Sequence, residues 1–599
     1  MPDRLAQPDL AHDGQRPAWL TDDDLAALAA IARTHHRGGS APGLAYGIIA
    51  GPALVHSAGF GSARTGGPVP DGATVFRIAS MTKSFTAAAV LALRDDGILA
   101  LDDPAERYVP ELRGLRPATS DSPPVTVRNL LTMTAGLPTD DPWGDRQQGM
   151  PPDEFSRFLA EGIRFAWAPG TQFEYANLGY AILGRVITAA SGSGYTDVVR
   201  DRLLRPLGMD STGFAAAEFD PDRLAAGYRR AGDGWQELIP DGDGAFAPMG
   251  GIFSTVADLT RWVAGFAAAF PPGGPADGGA HPLRRSSRRE MQLPQVALPV
   301  HQPPLPAAAA HGSYGFGLFV EEDGGHGRIV QHGGGYPGYG SHMRWHPASG
   351  LGVIVLANST YAPAQALGAR MLDALLRRRP RGAAGQGPAL APERPWPETL
   401  AGQRAATSLL QHWDDEAASR LCTANVALDE PYPERRARAE QVRRRIGEFA
   451  DDTSRPAEHD SAAHCRWWLR GERGTVQAEI RLTPHQRPMI QQLVHAVPPA
   501  HGSVLSRLTG QLIALLNDGA PSWPPALPAA AGLDTGAFIR RLRVAAAWAG
   551  PCTPGAYSAG DGDATVTVEL EGQRARLLLT VTVDERRGEL REAGITLAG

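Results

Sequence analysis

The first regular pattern in the chain is a run of apolar residues at helical spacing that starts near residue 22. Thr21 precedes three aspartates and the run LAALAAIA, and Gly38 follows that run. A threonine cap, acidic residues in the first turn and a terminal glycine are the signals that bound a helix. Two apolar runs at 44–49 and 54–60 flank a Gly-Pro turn and predict a β-hairpin.

A second helical pattern begins directly after Ser80. The short apolar stretch 75–79 leads into it, and apolar residues then recur at helical spacing from Phe85 to Leu93. We therefore predict that Ser80 lies at the N-terminus of a helix. Lys83 is then one turn further along, on the same face, because residues three apart on a helix are neighbours.

The remainder of the first 376 residues predicts helices followed by strands. Residues 100–270 favour helices with Gly- and Pro-rich connections, and 268–312 favour long loops. Strands are predicted at 314–321, 328–332, 339–345 and 352–357. Glycine-bearing turns between these strands indicate an antiparallel meander. Because both ends of this region are strand-rich, we expect an α/β (α+β) fold. One antiparallel sheet would be flanked by helices and joined to a helical subdomain.

A chain of 599 residues is too long for one hydrophobic core. Composition predicts a disordered N-terminus at 1–18, a main domain at 19–376 and a Pro/Arg-rich linker at 377–400. Two small α+β units follow at 401–499 and 500–599, because each repeats the order helix, arginine-bearing helix, strands. Neither unit carries a constellation of catalytic residue types. We expect them to bind a partner, cover a cleft or mediate homo-oligomerisation.

Charge and composition exclude several functions. The net charge is −6 and the pI about 6.3, which gives no electrostatic case for nucleic acid or an anionic membrane. No apolar run reaches the roughly 18 residues of a spanning helix, and the N-terminal residues lack a secretory pattern. The three cysteines are far apart and form no metal-ligand spacing. We expect a cytoplasmic protein without a metal or an organic cofactor.

Lys83 is the only lysine among 58 basic residues, and the remainder are arginine. An arginine stays charged near neutral pH, whereas a buried lysine can lose its proton. Lys83 also completes the spacing Ser80-x-x-Lys83, in which a lysine amine activates a serine nucleophile. The unique lysine at this spacing indicates a catalytic rather than a surface role.

The segment FRIASMTKSFTAAAVLAL resembles the nucleophile segment of the serine β-lactamase-like, penicillin-recognising hydrolases. Tyr175-Ala176-Asn177 resembles the Tyr-x-Asn motif of the branch that holds class C β-lactamases, D-aminopeptidases and esterases. QHGGGYPGYGS resembles the third motif, here His332-Gly333-Gly334. The resemblance covers about residues 25–375 and does not extend beyond about 400.

The resemblance implies a role for each matching residue. Ser80 would be the acylated nucleophile and Lys83 its base or proton conduit. Tyr175 would carry a proton to the leaving group, with a pKa lowered from about 10 by a neighbouring ammonium. Asn177 would hold Lys83 or the substrate carbonyl. The N–H of Gly335 would be the second oxyanion donor, beside the N–H of Ser80.

Two departures from the family pattern bear on the substrate. His332 stands where β-lactamases and carboxypeptidases usually carry lysine, and a histidine is only fractionally charged at pH 7. Met133 and Ala135 replace the usual histidine and serine of another segment, and we expect them to change only local packing.

We therefore predict a serine hydrolase for an ester or amide, of the esterase or D-amino-acid peptidase type, acting on a small molecule or a short peptide. A β-lactamase or D-alanyl-D-alanine carboxypeptidase is one alternative. A catalytically silent binding or scaffold protein on the same fold is the other.

Overall fold

The computed structural model describes residues 16–232, 234–270, 281–298, 309–323, 326–379, 395–459, 461–519, 522–572 and 575–597. Most of the N-terminal segment predicted to be disordered, and the centre of the predicted linker, lie outside these ranges. The chain divides into two compact units, residues 1–388 and 389–599.

The helices and strands of the first unit follow one another along the chain. Its helices are α1 (Asp22–Arg37), α2 (Thr82–Asp95), α3 (Val127–Leu131), α4 (Asp141–Gly144), α5 (Pro152–Glu161), α6 (Asn177–Ser191), α7 (Tyr195–Val199), α8 (Ala247–Gly250), α9 (Val256–Ala267), α10 (Arg285–Met291) and α11 (Ala364–Arg378). Its strands are β1 (Gly43–Ala50), β2 (Ala53–Gly61), β3 (Phe76–Arg77), β4 (Gly227–Ala231), β5 (Gly234–Leu238), β6 (Phe253–Ser254), β7 (Val296–Ala297), β8 (Ala309–Tyr314), β9 (Phe319–Asp323), β10 (Gly327–Tyr336), β11 (Tyr339–His346) and β12 (Leu351–Ala357).

The central sheet has eight strands in the order β2-β1-β12-β11-β10-β9-β8-β7, and all neighbours are antiparallel. The pairing of β1 with β12, from Leu44 opposite Ala357 to Ala50 opposite Leu351, joins the two ends of the unit. This confirms the prediction that the strand-rich first and last segments share one sheet.

Alternating residues of the sheet separate two cores. Tyr46 and Ile48 of β1 pack with α1 and α11 on one face. Ala45 and Ile49 belong to the core on the other face, together with α2, α6 and α9. Since successive side chains of a strand point to opposite faces, the sheet is covered on both sides. The helical subdomain packs against the face that carries α2.

The predicted N-terminal elements are confirmed. Thr21 caps α1 by accepting a hydrogen bond from the Asp24 N–H, and Gly38 ends this helix. Ser80 lies in a short 3₁₀ turn, Ala79–Met81, that leads directly into α2.

Two predictions for the second half of this unit are wrong. Residues 314–321 are not one strand, because the chain reverses between β8 and β9. Gly317 has a φ of 67°, and a Cβ there would lie 2.5 Å from the Lys83 carbonyl oxygen. A glycine is needed for both reasons. Helix α10 also lies inside the segment 268–312, which is predicted to form long loops, while residues 271–280 and 299–308 of that segment lie outside the described ranges.

The second unit contains two four-stranded antiparallel sheets. Its helices are α12 (Pro397–Gln411), α13 (Asp415–Leu421), α14 (Ala424–Asp429), α15 (Tyr432–Ile446), α16 (Val504–Asn517) and α17 (Thr535–Ala549). Its sheets are β13-β14-β15-β16 (Phe449–Asp451, His464–Gly471, Gly474–Leu482, Ile490–Ala496) and β17-β18-β19-β20 (Cys552–Gly560, Thr565–Gly572, Arg576–Asp584, Glu589–Leu597). The predicted order of helices followed by strands is present twice. The boundaries at 401–499 and 500–599 stay a prediction.

None of the helices in the described ranges combines the length and the apolar character that crossing a membrane requires.

Candidate active site

The turn that carries Ser80 is held in a strained conformation by its neighbours. Ala79 has a φ of 48°, in the left-handed region that residues with a Cβ rarely adopt. The Ile78 N–H donates to the Ile252 carbonyl at 2.9 Å, and the Ile78 carbonyl accepts from Ser341 Oγ at 2.6 Å. Such strain costs on the order of 1–3 kcal/mol and is typical of functional sites. The turn presents the Ser80 side chain to a cavity.

Lys83 is fully buried behind Ser80 and has three hydrogen-bond partners. Its Nζ lies 3.0 Å from Ser80 Oγ, 2.7 Å from Asn177 Oδ1 and 2.9 Å from the Met249 carbonyl oxygen. The last two atoms only accept hydrogen bonds. In the neutral amine both N–H groups can therefore point to them, which leaves the lone pair directed at the Ser80 hydroxyl.

Burial lowers the pKa of Lys83 to about 8, while Asp141, Asp145 and Asp140 act in the opposite direction. Desolvation disfavours the ammonium, so a substantial fraction of the amine is neutral near pH 8. The site thus contains a lysine that can accept a proton under ordinary conditions.

Asn177 is fixed between this lysine and a carboxylate. Its Nδ2 donates to Asp141 Oδ1 at 2.7 Å, which turns its Oδ1 toward Lys83. Asp140 accepts hydrogen bonds from the backbone N–H groups of Asn177 and Leu178, at 2.6 and 2.8 Å. A carboxylate at the start of α6 is favoured by the helix dipole. Asp140 therefore places the first residue of α6 against Lys83.

Tyr175 lines the cavity beside Ser80 as a neutral phenol. Burial and then Asp141 raise its pKa well above the usual value, against a smaller opposite effect of the Ser80 hydroxyl. The predicted drop of this pKa is therefore wrong. Burial dominates this shift, and Lys83 Nζ, which lies over the ring face 4.8 Å from the ring centroid, does not reverse it.

His332 of β10 is buried and neutral. Burial, and then the charge of Lys83, lower the pKa of His332 to about 3. The Gly333 carbonyl lies 2.6 Å from Nδ1, so Nδ1 carries the proton and Nε2 accepts from the Tyr314 hydroxyl at 3.4 Å. The predicted fractional charge is thus absent, and His332 is no substitute for a lysine that binds carboxylate.

The glycines after His332 lie at the end of β10 that approaches the nucleophile. Pairing of β10 with β9 ends at Gln331, whereas pairing with β11 continues to Tyr336. A Cβ on Gly334 would lie 2.2 Å from the Ile78 carbonyl oxygen, so β10 and the nucleophile turn are in close contact. A Cβ on Gly335 would lie 2.7 Å from Cδ1 of Tyr361. The backbone of Ile78 therefore excludes a side chain at position 334, whereas a side chain at position 335 would displace the Tyr361 ring.

One cavity of about 710 Å³ brings these residues together. The predicted residues that line it are Ser80, Tyr175, His332, Gly333, Gly334 and Gly335. Lys83 and Asn177 lie behind its wall, in contact with one another. Within the described ranges, no group of three or more His, Cys, Asp or Glu side chains is arranged to hold a metal ion.

Sequence reasoning missed the acidic side of the site and the residues that support it. The missed residues include Asp140, Asp141, Asp145, Met249, Ser341 and Tyr361. Three aspartates within six residues, in TDDPWGD, were the one available signal. Met133 also has more than a packing role. It adopts a φ of 59°, and its carbonyl accepts the N–H of Glu174, the residue before Tyr175, at 2.9 Å.

This chain combines a covered antiparallel sheet with a helical subdomain and has a serine–lysine pair at their junction. The penicillin-recognising serine hydrolases have this architecture. A profile of the Beta-lactamase family matches residues 28–377, and the chain belongs to this family.

Curated relatives include AmpH of Escherichia coli K12, named D-alanyl-D-alanine-carboxypeptidase/endopeptidase. It is 33% identical over 230 residues, which cover 38% of this chain and 57% of AmpH. Penicillin-binding protein 4* of Bacillus subtilis is 26% identical over 45% of this chain and 57% of its own length. The chain thus spans little more than half the length of these two relatives.

The fold is similar to that of a penicillin-binding protein homologue from Pyrococcus abyssi, whose solved structure is described as octameric. The TM-score between the two is 0.52. The homologue is 18% identical in sequence and covers 96% of this chain and 98% of its own. This likeness supports the fold.

Proposed function

We propose that the chain is a serine hydrolase that forms an acyl-enzyme at Ser80 and hydrolyses an ester or an amide. The observation that carries this proposal is the 3.0 Å contact between Ser80 Oγ and Lys83 Nζ. Burial lowers the pKa of this lysine to about 8, which makes it a base suited to work near neutral pH.

In the acylation step, neutral Lys83 accepts the Ser80 proton while Oγ bonds to the acyl carbon. The carbonyl oxygen becomes an oxyanion, and we propose that the N–H groups of Ser80 and Gly335 stabilise it. One such donor is typically worth about 10²–10³ in kcat. The proton then passes through the neutral Tyr175 hydroxyl to the leaving group, and the acyl-enzyme remains.

In the deacylation step, a water molecule attacks the acyl carbon and releases Ser80. The same lysine and tyrosine accept and return the proton, by reversal of the first step. Because Tyr175 stays protonated, it acts as a donor and relay in this scheme rather than as a phenolate base.

The charge of the cavity supports an ester or amide over a substrate with a free carboxylate. Its lining includes Asp141 and Asp145 and no lysine or arginine within the described residues. His332 is neutral, so it does not supply the missing positive charge. The name of AmpH keeps a D-alanyl-D-alanine carboxypeptidase as the second candidate, with β-lactamase activity beside it.

Covalent labelling and a turnover screen test the proposal. The wild type, Ser80→Ala and Ser84→Ala are each offered short-chain p-nitrophenyl esters, D-amino-acid amides, a chromogenic cephalosporin and a peptide that ends in D-alanyl-D-alanine. Ser84 is a matched control, because it is a buried serine of α2 that bonds to the Met81 carbonyl and to Trp262. A fluorophosphonate should label the wild type and Ser84→Ala but not Ser80→Ala.

Other outcomes select the alternatives. Absence of both labelling and turnover in the wild type would indicate a binding or scaffold protein. Fastest turnover of the cephalosporin, or of a peptide that ends in D-alanyl-D-alanine, would indicate the second candidate.

The second unit and the location of the protein also stay proposals. We propose that residues 401–599 support a homo-oligomer, which light scattering of the full chain would test. The Pyrococcus abyssi homologue, described as octameric, makes this test worthwhile. A cytoplasmic location remains a prediction from sequence.

A further inference from the structure

The wall of the catalytic cavity carries negative charge that no arginine or lysine of the lining neutralises. Asp141 and Asp145 both line this cavity together with Ser80. The described part of the chain gives neither aspartate an arginine ion pair. Lys83 is a cation that acts on Asp145, and it is itself surrounded by acceptors behind the wall.

Asp145 is a buried carboxylate that has one hydrogen bond from the part of the chain the structure describes. It is 3% exposed, and its Oδ2 accepts from the Tyr361 hydroxyl at 2.8 Å. Burial, and then the charge of Asp141, raise the pKa of Asp145 to about 6 against the Tyr361 hydrogen bond, so it is mostly ionised above pH 7. A buried carboxylate without a cation is costly, and a ligand cation would offset that cost.

A second, independent feature of the same cavity is a buried acceptor without a partner among the described residues. Gln331 lines the cavity and is 2% exposed. Its Nε2 donates to Glu321 Oε1 at 3.0 Å, which fixes the orientation of the amide. Its Oε1 accepts no hydrogen bond from the described residues. A buried acceptor without a partner fits a ligand that supplies N–H groups.

Tyr361 is also held in a strained conformation at this wall. Its φ is 51°, in the left-handed region, and its ring contacts the site of a Cβ on Gly335. Its hydroxyl donates to Asp145 Oδ2 at 2.8 Å. The aspartate is therefore tied to the strand whose N–H is the proposed oxyanion donor.

We infer that the substrate carries a primary ammonium group, and that Asp145, assisted by Asp141, binds it while Ser80 attacks the acyl carbon. The substrate class is an amino-acid ester, an amino-acid amide or a short peptide with a free N-terminus. An ammonium has three donors and no acceptor, which matches a wall of carboxylate and carbonyl oxygens. This inference rests on the proposed function and narrows its substrate; Asp145 is its specificity-determining residue.

The test compares matched substrates that differ only in charge. Alanine p-nitroanilide, as each enantiomer, is paired with the N-acetyl compound and with propionyl p-nitroanilide, at pH 7, where an α-amine is largely protonated. The quantity measured is the ratio of kcat/KM for the free amine to kcat/KM for the neutral compound. Replacing Asp145 also changes the pKa of Lys83, but this change affects the turnover of both compounds equally and therefore cancels in the ratio.

We expect the wild type to prefer the better enantiomer of the free amine by about tenfold or more. This is the range of a hydrogen bond to a charged group. Asp145→Asn should lower the ratio by about tenfold, whereas Asp222→Asn, at an exposed position outside the cavity, should leave the ratio as in the wild type.

Three results would overturn the inference. One is a wild-type ratio near or below one, with Ser80-dependent turnover of the neutral compounds, which leaves the proposed function standing. The second is an Asp145→Asn variant in which both rates fall equally and the ratio is kept. The third is absence of turnover and of fluorophosphonate labelling, which removes the proposed function as well.

Discussion

The side-chain amide of Asn177 holds Lys83 in place. Its Oδ1 accepts from Lys83 Nζ at 2.7 Å, and its Nδ2 is anchored to Asp141. The orientation of the amide is therefore determined by a carboxylate outside the serine–lysine pair. This arrangement connects the protonation of the lysine to the acidic loop, and the pH dependence of the reaction follows from it.

The rate should rise with pH as Lys83 loses its proton. With a pKa of about 8, kcat/KM for a neutral ester should increase through about pH 8 and level off above it, since kcat/KM reports the free enzyme. A pH–rate profile with p-nitrophenyl acetate measures this midpoint, after correction for spontaneous hydrolysis. A profile that is flat from pH 6 to 9 would contradict a lysine base.

Removing the Asp141 charge should move that midpoint to lower pH. The Asp141 carboxylate favours the ammonium and so raises the pKa of Lys83, and Asp141→Asn takes this stabilisation away. The isosteric amide can still accept the Asn177 hydrogen bond. The same profile is recorded for Asp222→Asn, whose midpoint should match the wild type. A midpoint that moves to higher pH in Asp141→Asn would refute the electrostatic coupling.

Replacing Lys83 by arginine should abolish most activity. A guanidinium does not deprotonate at these pH values, and general-base assistance is worth about 10²–10⁴ in rate. We expect Lys83→Arg to retain the circular dichroism spectrum of the wild type. Because the larger group enters a fully buried space, Lys83→Met provides a second variant without that steric demand. Wild-type turnover by either variant would remove Lys83 from the mechanism.

The buried lysine should make stability depend on pH in a defined direction. The folded-state pKa of about 8 lies below the value of 10.5 for an exposed lysine, so the unfolded chain binds more protons between these pH values. Stability therefore rises with pH across this window, by roughly 3 kcal/mol in all. The free energy of unfolding of the wild type, minus that of Lys83→Met, should increase between pH 7 and pH 10. Urea titrations of both proteins measure this difference, and a constant value would show that Lys83 is not desolvated.

Gly334 and Gly333 should respond differently to the same added methyl group. A Cβ at Gly334 would lie 2.2 Å from the Ile78 carbonyl oxygen, whereas at Gly333 the nearest atom, His342 Nδ1, is 3.5 Å away. Gly334→Ala must push β10 away from the nucleophile turn, so we expect a loss of at least about a hundredfold, the magnitude of one oxyanion donor. Gly333→Ala should lose less. Equal losses in ester turnover would show that this contact does not determine the rate.

The local part of the site was predictable from sequence. Ser80 and Lys83 are three residues apart on one helix, so their contact needs no information about the remainder of the fold. The pairing of β1 with β12 was also predictable, because both segments are apolar and flank a helical region. Each of these predictions depends on short-range pattern or on overall chain organisation.

The remainder of the site depends on long-range packing. Met249 reaches Lys83 across 166 positions, and Asn177 across 94, and no local pattern specifies these contacts. The pKa values of Tyr175 and His332 were misjudged because burial, which dominates both, is a property of the folded chain. The turn at Gly317 was not predicted because the Lys83 carbonyl oxygen, which leaves no room for a side chain there, is distant in sequence.

The uniqueness and complete burial of Lys83 also have a practical consequence. An amine-directed acylating reagent can react with only two kinds of group in this chain, the terminal α-amine and the ε-amine of Lys83. In the native state the second is shielded from solvent, so its modification records the opening of the helical region around α2. The chain thus carries a single-residue chemical reporter of its own unfolding, without any engineered label.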